Sequence, residues 1–106
     1  MKFVYSIIRK DIPLADQIVQ SCHSSFHAGE RYGEKDATIP SLILLEVKDE
    51  EELVHLSFKL SEKHIKYHIF FEPDIGEEGG EFTSLTTEPL DQEQRKVFSN
   101  LRLWRP

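Results

Sequence analysis

A single cysteine, Cys22, in 106 residues excludes an internal disulfide and predicts a reduced thiol. Long apolar runs are also missing: none approaches the ~20 residues that a membrane-spanning helix needs. The opening MKFVYSIIRK does not read as a signal peptide, because its apolar stretch is short and followed by charge. These features predict a cytoplasmic protein with no membrane partner. A glycine-rich phosphate loop is lacking too, since Gly76, Gly79 and Gly80 stand among acids that would repel phosphate. Basic residues are in deficit: thirteen Lys and Arg face nineteen Asp and Glu, a net charge of −6. Residues 1–45 are neutral, 46–90 carry −8 and 91–106 carry +2. A nucleic-acid partner normally calls for a basic face. Only Arg9, Lys10, Arg31 and Lys35, with Arg95, Lys96, Arg102 and Arg105, could form one, if the fold joins both ends.

What remains is an ordinary globular composition, 39% hydrophobic and 30% charged, of a length that suits one domain spanning residues 1–106. The most informative stretch runs from Leu14 to Glu30. Leu14, Ala15, Ile18, Val19, Cys22 and Phe26 recur at three and four, which predicts an amphipathic helix with that face buried and Cys22 in the core. Beside it Asp16, Gln20, His23 and His27 fall in a stripe roughly 60° wide. An acid, an amide and two imidazoles in file can bond a ligand, exchange protons or hold a metal.

The remaining chain alternates strand and helix. Phe3 to Ile8 reads as a strand buried on both faces, closed by Pro13. Residues 27–39 read as loop or frayed helix around Gly29 and Gly33. Leu42 to Val47 reads as a second buried strand. Asp49 followed by Glu50, Glu51 and Glu52 predicts a helix start, with Glu52 reaching back to the Asp49 amide. Leu53, Leu56 and Leu60 then mark its apolar face. Tyr67 to Phe71 and Phe82 to Thr87 read as strands joined by an acidic, glycine-rich segment, either a solvated hairpin connection or a mobile flap. Asp91 caps a last helix from Gln92 to about Asn100, and residues 101–104 finish as a short edge segment. The order β-α-β-α-β-β-α predicts a three-layer α/β/α sandwich with a mixed four-stranded sheet.

His23 and His27 have the spacing of a helical metal pair, and His64 and His68 repeat it, but no third ligand is evident and no metal or other cofactor is expected. Histidine serves better here as an acid, base or donor, since its ordinary pKa of about 6.5 lies near working pH.

Four segments resemble the type II peptidyl-tRNA hydrolase family. Ile7-Ile8-Arg9-Lys10-Asp11-Ile12 is similar to the exit of that family's first strand, Arg-x-Asp-Leu. Gln20-Ser21-Cys22-His23-Ser24 is similar to Gln-x-x-His-Ala in its first helix. Residues 42–53 resemble its second strand running into an Asp-Glu-rich helix start. Thr83-Ser84-Leu85-Thr86-Thr87-Glu88-Pro89 resembles the last strand, Thr-Val-Leu-x-x-x-Pro. The resemblance implies hydrolysis of the ester of peptidyl-tRNA, a homodimer and no cofactor. It implies a site of Gln20, His23 and Thr83, with Glu72 (or Asp74) as the carboxylate that closes the third strand; on the chemistry of the residues the carboxylate supporting His23 is Asp16 or Glu72. Arg9, Lys10 and His27 would meet the substrate. Leu14-Ala15-Asp16 stands where the family opens its first helix with Lys-Gly-Lys, and the Ala-Gly-x-Thr-Gln loop is replaced by acids. The alternative is therefore a non-catalytic binding module that keeps the cleft.

Overall fold

The computed structural model describes residues 1–35 and 38–106. Seven elements follow one another as β1 (Phe3–Arg9), α1 (Leu14–Tyr32), β2 (Ser41–Val47), α2 (Glu50–Glu62), β3 (Tyr67–Glu72), β4 (Glu81–Thr87) and β5 (Arg102–Leu103), with a 3-10 helix at Gln94–Phe98 before β5. The sheet is mixed and has five strands in the order β3-β4-β1-β2-β5, which corrects the expected four. Strand β1 runs parallel to β2 and antiparallel to β4, while β4 is antiparallel to β3 and β5 to β2. The residues after Leu101 thus add an edge strand, and the Trp104 amide bonds the Leu44 carbonyl beyond it. The expected last helix shrinks to the 3-10 turn. Asp91 still caps it, accepting from Gln94 N at 3.1 Å while Gln94 Oε1 accepts from Asp91 N.

Two crossovers place the helices. The first, through α1, moves from β1 to β2; the second, through α2, moves back past β1 to β3. Right-handed crossovers running in opposite directions put their helices on opposite faces. Side-chain alternation agrees: Tyr5 and Ile7 pack with Leu53, Leu56 and Leu60 of α2, whereas Ser6 faces α1. The apolar core lies almost wholly on the α2 side, where Leu45, Val47, Leu85, Leu90 and Phe98 join them. Phe98 stacks on Tyr5 with centroids 4.2 Å apart. Asp49 caps α2 as expected, accepting from Glu52 N at 3.0 Å, but Glu52 reaches the Lys48 amide at 2.8 Å, one residue earlier than predicted.

Helix α1 reverses the expectation for its faces. Its buried residues are Gln17, Gln20, Ser24 and Ala28, while Leu14, Ile18, Val19, Cys22 and Phe26 are exposed. Phe26 keeps 71% of its surface and Ile18 51%. Cys22 is therefore an exposed thiol and not a core residue. The reason lies in the sheet beneath, which presents Ser6, Thr83, Ser84 and Thr86. The hydroxyls bond each other and the helix: Ser6 to Thr86 at 2.6 Å, Ser24 to Thr86 at 2.8 Å, and Ser84 Oγ to the Gln20 carbonyl at 2.6 Å. Each such bond contributes about 0.5–1.5 kcal/mol, so hydrogen bonds replace apolar burial in holding α1 down. Gln17 ties the ends of the chain together, donating to the Ile12 carbonyl and accepting from Trp104 Nε1 at 2.8 Å. Among the described residues no buried side-chain polar atom lacks a partner. None of the described helices is long and apolar enough to cross a membrane.

Candidate functional site

The stripe along α1 runs beside the edge strand β3, and its Gln20 end lies at Glu72, the carboxyl end of that strand, where ligands of open α/β sheets bind as a rule. Gln20 lies at its buried end, 4% exposed. Its Oε1 accepts from Thr83 Oγ1 at 2.7 Å, and its Nε2 donates to Glu72 Oε2 at 3.1 Å. A carboxylate only accepts, so Glu72 fixes which way the amide points. Among the described residues no second acceptor meets Nε2. Glu72 is held in turn by the Asp74 amide at 3.2 Å.

A bulge explains why Thr83 and Ser84, adjacent in sequence, both reach Gln20. Phe70 pairs with Ser84 but Phe71 pairs with Phe82, leaving Thr83 as the extra residue of β4. Such an insertion re-aims a side chain that strict alternation would send to the other face. Thr83→Val is expected to destabilise the fold by about 1–3 kcal/mol in urea unfolding, because the buried Gln20 oxygen loses its donor.

One turn along the helix from Gln20, His23 is exposed and lies flat on Phe70, with centroids 4.5 Å apart and planes 4° apart. His27 also stacks on Phe70 at 5.8 Å and meets His68 at 4.9 Å. His68 turns toward α1, while His64, four residues earlier, takes a left-handed backbone at φ 59° beyond α2, so these two do not share a face. Burial, then His27, then Arg31 push the His68 pKa below its ordinary value. The sign follows directly: a depressed imidazole binds fewer protons folded than unfolded, so its stabilisation is complete above about pH 6.5 and is lost as pH falls. The urea midpoint is expected to drop from pH 7 to pH 5.5, and His68→Asn to flatten part of that drop.

Asp16 sits in the first turn, half-buried, where its charge suits the positive helix end. Arg9 is committed elsewhere. Its buried guanidinium binds Asp11 through two nitrogens at 2.9 Å, and Glu81 at 2.7 Å and the Phe82 carbonyl at 3.0 Å through the third. The bond to Asp11 raises its pKa most, burial opposes this, and Glu81 adds to the rise. Lys10 is occupied by the C-terminal segment, over the Trp104 ring and bonded to the Arg105 carbonyl. Arg95 lies over Phe3 and bonds the Tyr5 hydroxyl at 2.9 Å. The basic residues therefore do not merge beside the helix stripe. Among the described residues no group of three or more His, Cys, Asp or Glu is placed to hold a metal.

Two cavities lie elsewhere. One of about 1050 Å³ is bounded by α2 and the outer strands, with Lys10, Asp49, Glu52, His55 and Arg102 in its wall. The other, about 650 Å³, is an apolar groove between α1 and β2 lined by Cys22, Ala28, Leu42 and Leu44. Neither includes Gln20, His23 or Glu72; along the stripe His23 is exposed, Asp16 and His27 are half-buried and Gln20 is buried.

These features define a mixed α/β domain with a polar site on its first helix. No family model matches the chain, and no curated protein matches it in sequence. It is similar to a solved structure of a protein of unknown function, Atu0240, from Agrobacterium tumefaciens strain C58. The two share 11% identity at a TM-score of 0.75, over 98% of each chain. At that identity the likeness concerns the fold alone.

Proposed function

We propose that this chain is an ester hydrolase of the type II peptidyl-tRNA hydrolase kind, acting on aminoacyl or peptidyl esters of tRNA. The observation that supports it is the clamped amide of Gln20, fixed by Thr83 and Glu72, one helical turn from the exposed imidazole of His23. Ester hydrolysis needs a base for water and a donor for the oxyanion. In this reading His23 takes the proton of the attacking water and returns it to the leaving ribose oxygen as the acyl carbon–oxygen bond breaks, while the second Nε2 hydrogen of Gln20 receives the developing charge. Because Gln20 is oriented before substrate arrives, no reorganisation is needed at the moment of reaction. An exposed imidazole also suits a macromolecular ester better than a small metabolite. The family likeness adds a homodimer of three-layer α/β/α sandwiches, with Arg9 ordering the cleft through Asp11 and Glu81.

A second reading is a binding module without turnover. It is favoured by the electrostatics: Glu72, Glu81 and Asp11 surround the site, and Arg9 is already neutralised by carboxylates. A polyanion gains little from such a surface. The deciding experiment is release of free tRNA from an N-blocked aminoacyl-tRNA by purified protein. Turnover supports the hydrolase; its absence at high enzyme concentration, with the protein folded, leaves the binding module.

A further inference from the structure

The two edges of the sheet are protected unequally. Strand β5 is two residues long and carries Arg102, the short charged kind of edge that resists pairing. Strand β3 runs six residues, Tyr67-His68-Ile69-Phe70-Phe71-Glu72, with no Lys, Arg or Pro among them. Its pairing with β4 shows which main-chain groups are turned outward. The Glu88 amide bonds the Lys66 carbonyl at 2.9 Å, and Thr86 and Ser84 stand opposite His68 and Phe70. Main-chain groups alternate sides along a strand, so Tyr67, Ile69 and Phe71 turn theirs away from the sheet. The Tyr32 hydroxyl covers the first of these, donating to the Tyr67 carbonyl at 3.1 Å. Among the described residues nothing outside the sheet bonds the main chain of Ile69 or Phe71. This free row lies beside the helix stripe, and α1 runs antiparallel to it. His27 meets His68, His23 lies on Phe70, and Gln20 bonds Glu72.

We infer that the acyl peptide of the ester docks as an added strand on the outer edge of β3, bonded to the main chain of Ile69 and Phe71. The inference rests on the ester-hydrolase reading, which puts the reacting carbonyl between His23 and Gln20. That position fixes the direction. The carboxyl end of the peptide must reach the Phe70–Glu72 end of the strand, so the peptide runs parallel to β3. Length agrees, since Ile69 to Glu72 spans ~10 Å, room for about three residues of peptide. Recognition through the main chain also suits the substrate class. The acyl part of such esters differs in every side chain, and strand addition draws its affinity from groups that all peptides share. Charge acts at the carboxyl end. An ester there is neutral, whereas a freed carboxylate faces Glu72 and the exposed Asp74, whose charges repel it. The same two acids therefore favour the bound ester over its product.

Backbone amide NMR of the purified chain with N-acetyl-Ala-Val-Ala-amide at millimolar concentration tests the docking without any ester. Hydrogen exchange at the Ile69 and Phe71 amides is expected to slow about tenfold when free peptide stands at about nine times its Kd. Adjacent peptide amides point to opposite sides of a strand. Of two copies N-methylated at the valine or at the alanine after it, one is therefore expected to lose binding and the other to keep it. The free acid N-acetyl-Ala-Val-Ala is expected to bind about tenfold more weakly than the amide at low salt, and the gap to narrow as salt is added. Absent binding, binding that spares Ile69 and Phe71, or equal binding by both methylated peptides would overturn the inference. Release of tRNA is read separately. Turnover without protection of Ile69 and Phe71 overturns the strand docking and leaves the hydrolase. Protection without turnover supports the docking and removes the hydrolase, leaving a peptide-binding edge.

Discussion

Replacing His23 by alanine is expected to lower ester turnover by about 10²- to 10⁴-fold, the range set by loss of a general base. Stability should barely move. His23 is exposed and lies on the ring of Phe70, a stack contributing about 0.5–1.5 kcal/mol. Gln20→Ala is the contrasting case, since it removes the amide that orders Glu72 and also strands the buried Thr83 hydroxyl. That variant is expected to lose both turnover and stability. Release of tRNA and urea unfolding, measured on both proteins, separate the two roles. Unchanged turnover in a folded His23→Ala protein would remove the imidazole from the mechanism and leave Glu72 as the base.

Order and type of most elements are legible in the sequence because local signals agreed with tertiary context. Apolar β-branched runs became β1 and β2, and Asp49 with Glu52 became a cap. Ends shifted by a residue or two where frayed turns decide them. The orientation of α1 was not legible. Periodicity locates an apolar stripe but cannot tell whether it meets the chain's own sheet or another molecule. Here the sheet offers Ser6, Ser84 and Thr86, whose hydroxyls suit Gln20, Ser24 and Ser25, so the helix turned its polar side inward. Serine and threonine in β1 and β4 were the available signal, once read as a hydroxyl-lined face.

The site divides the same way. Asp16, Gln20, His23 and His27 follow from helical spacing, whereas Glu72 is reached only through the family resemblance. The contact of His27 with His68 needed the crossover through α2, which carries β3 back to the far side of the sheet. The bulge that frees Thr83 had no composition cue, since Phe82-Thr83-Ser84 reads as plain strand. Phe70, which carries both imidazoles, reads in the sequence only as a strand residue. An aromatic on an edge strand facing a helix histidine is recognisable only once the two elements are adjacent.

Arg9→Ala is expected to cost about 3 kcal/mol, the largest stability effect of any single change near the site. Arg9 is buried at the carboxyl end of β1, and three of its nitrogens bond Asp11, Glu81 and the Phe82 carbonyl. Breaking a buried ion pair by removing one partner costs about 3–5 kcal/mol. The lower end applies because the side chains of Asp11 and Glu81 keep 40% and 31% of their surface and can turn to water once released. For a domain of this size the melting temperature should fall by ~12–20 °C. Arg9 also anchors the start of β4 through Glu81 and Phe82, just before the bulge at Thr83. Its loss should therefore loosen the clamp on Gln20 as well, lowering turnover without touching substrate. Lysine cannot restore the bidentate contact to Asp11, so Arg9→Lys is expected to recover only part of the stability. Full recovery in Arg9→Lys, read by thermal unfolding, would mean that charge alone matters at this position and that the fork geometry does not.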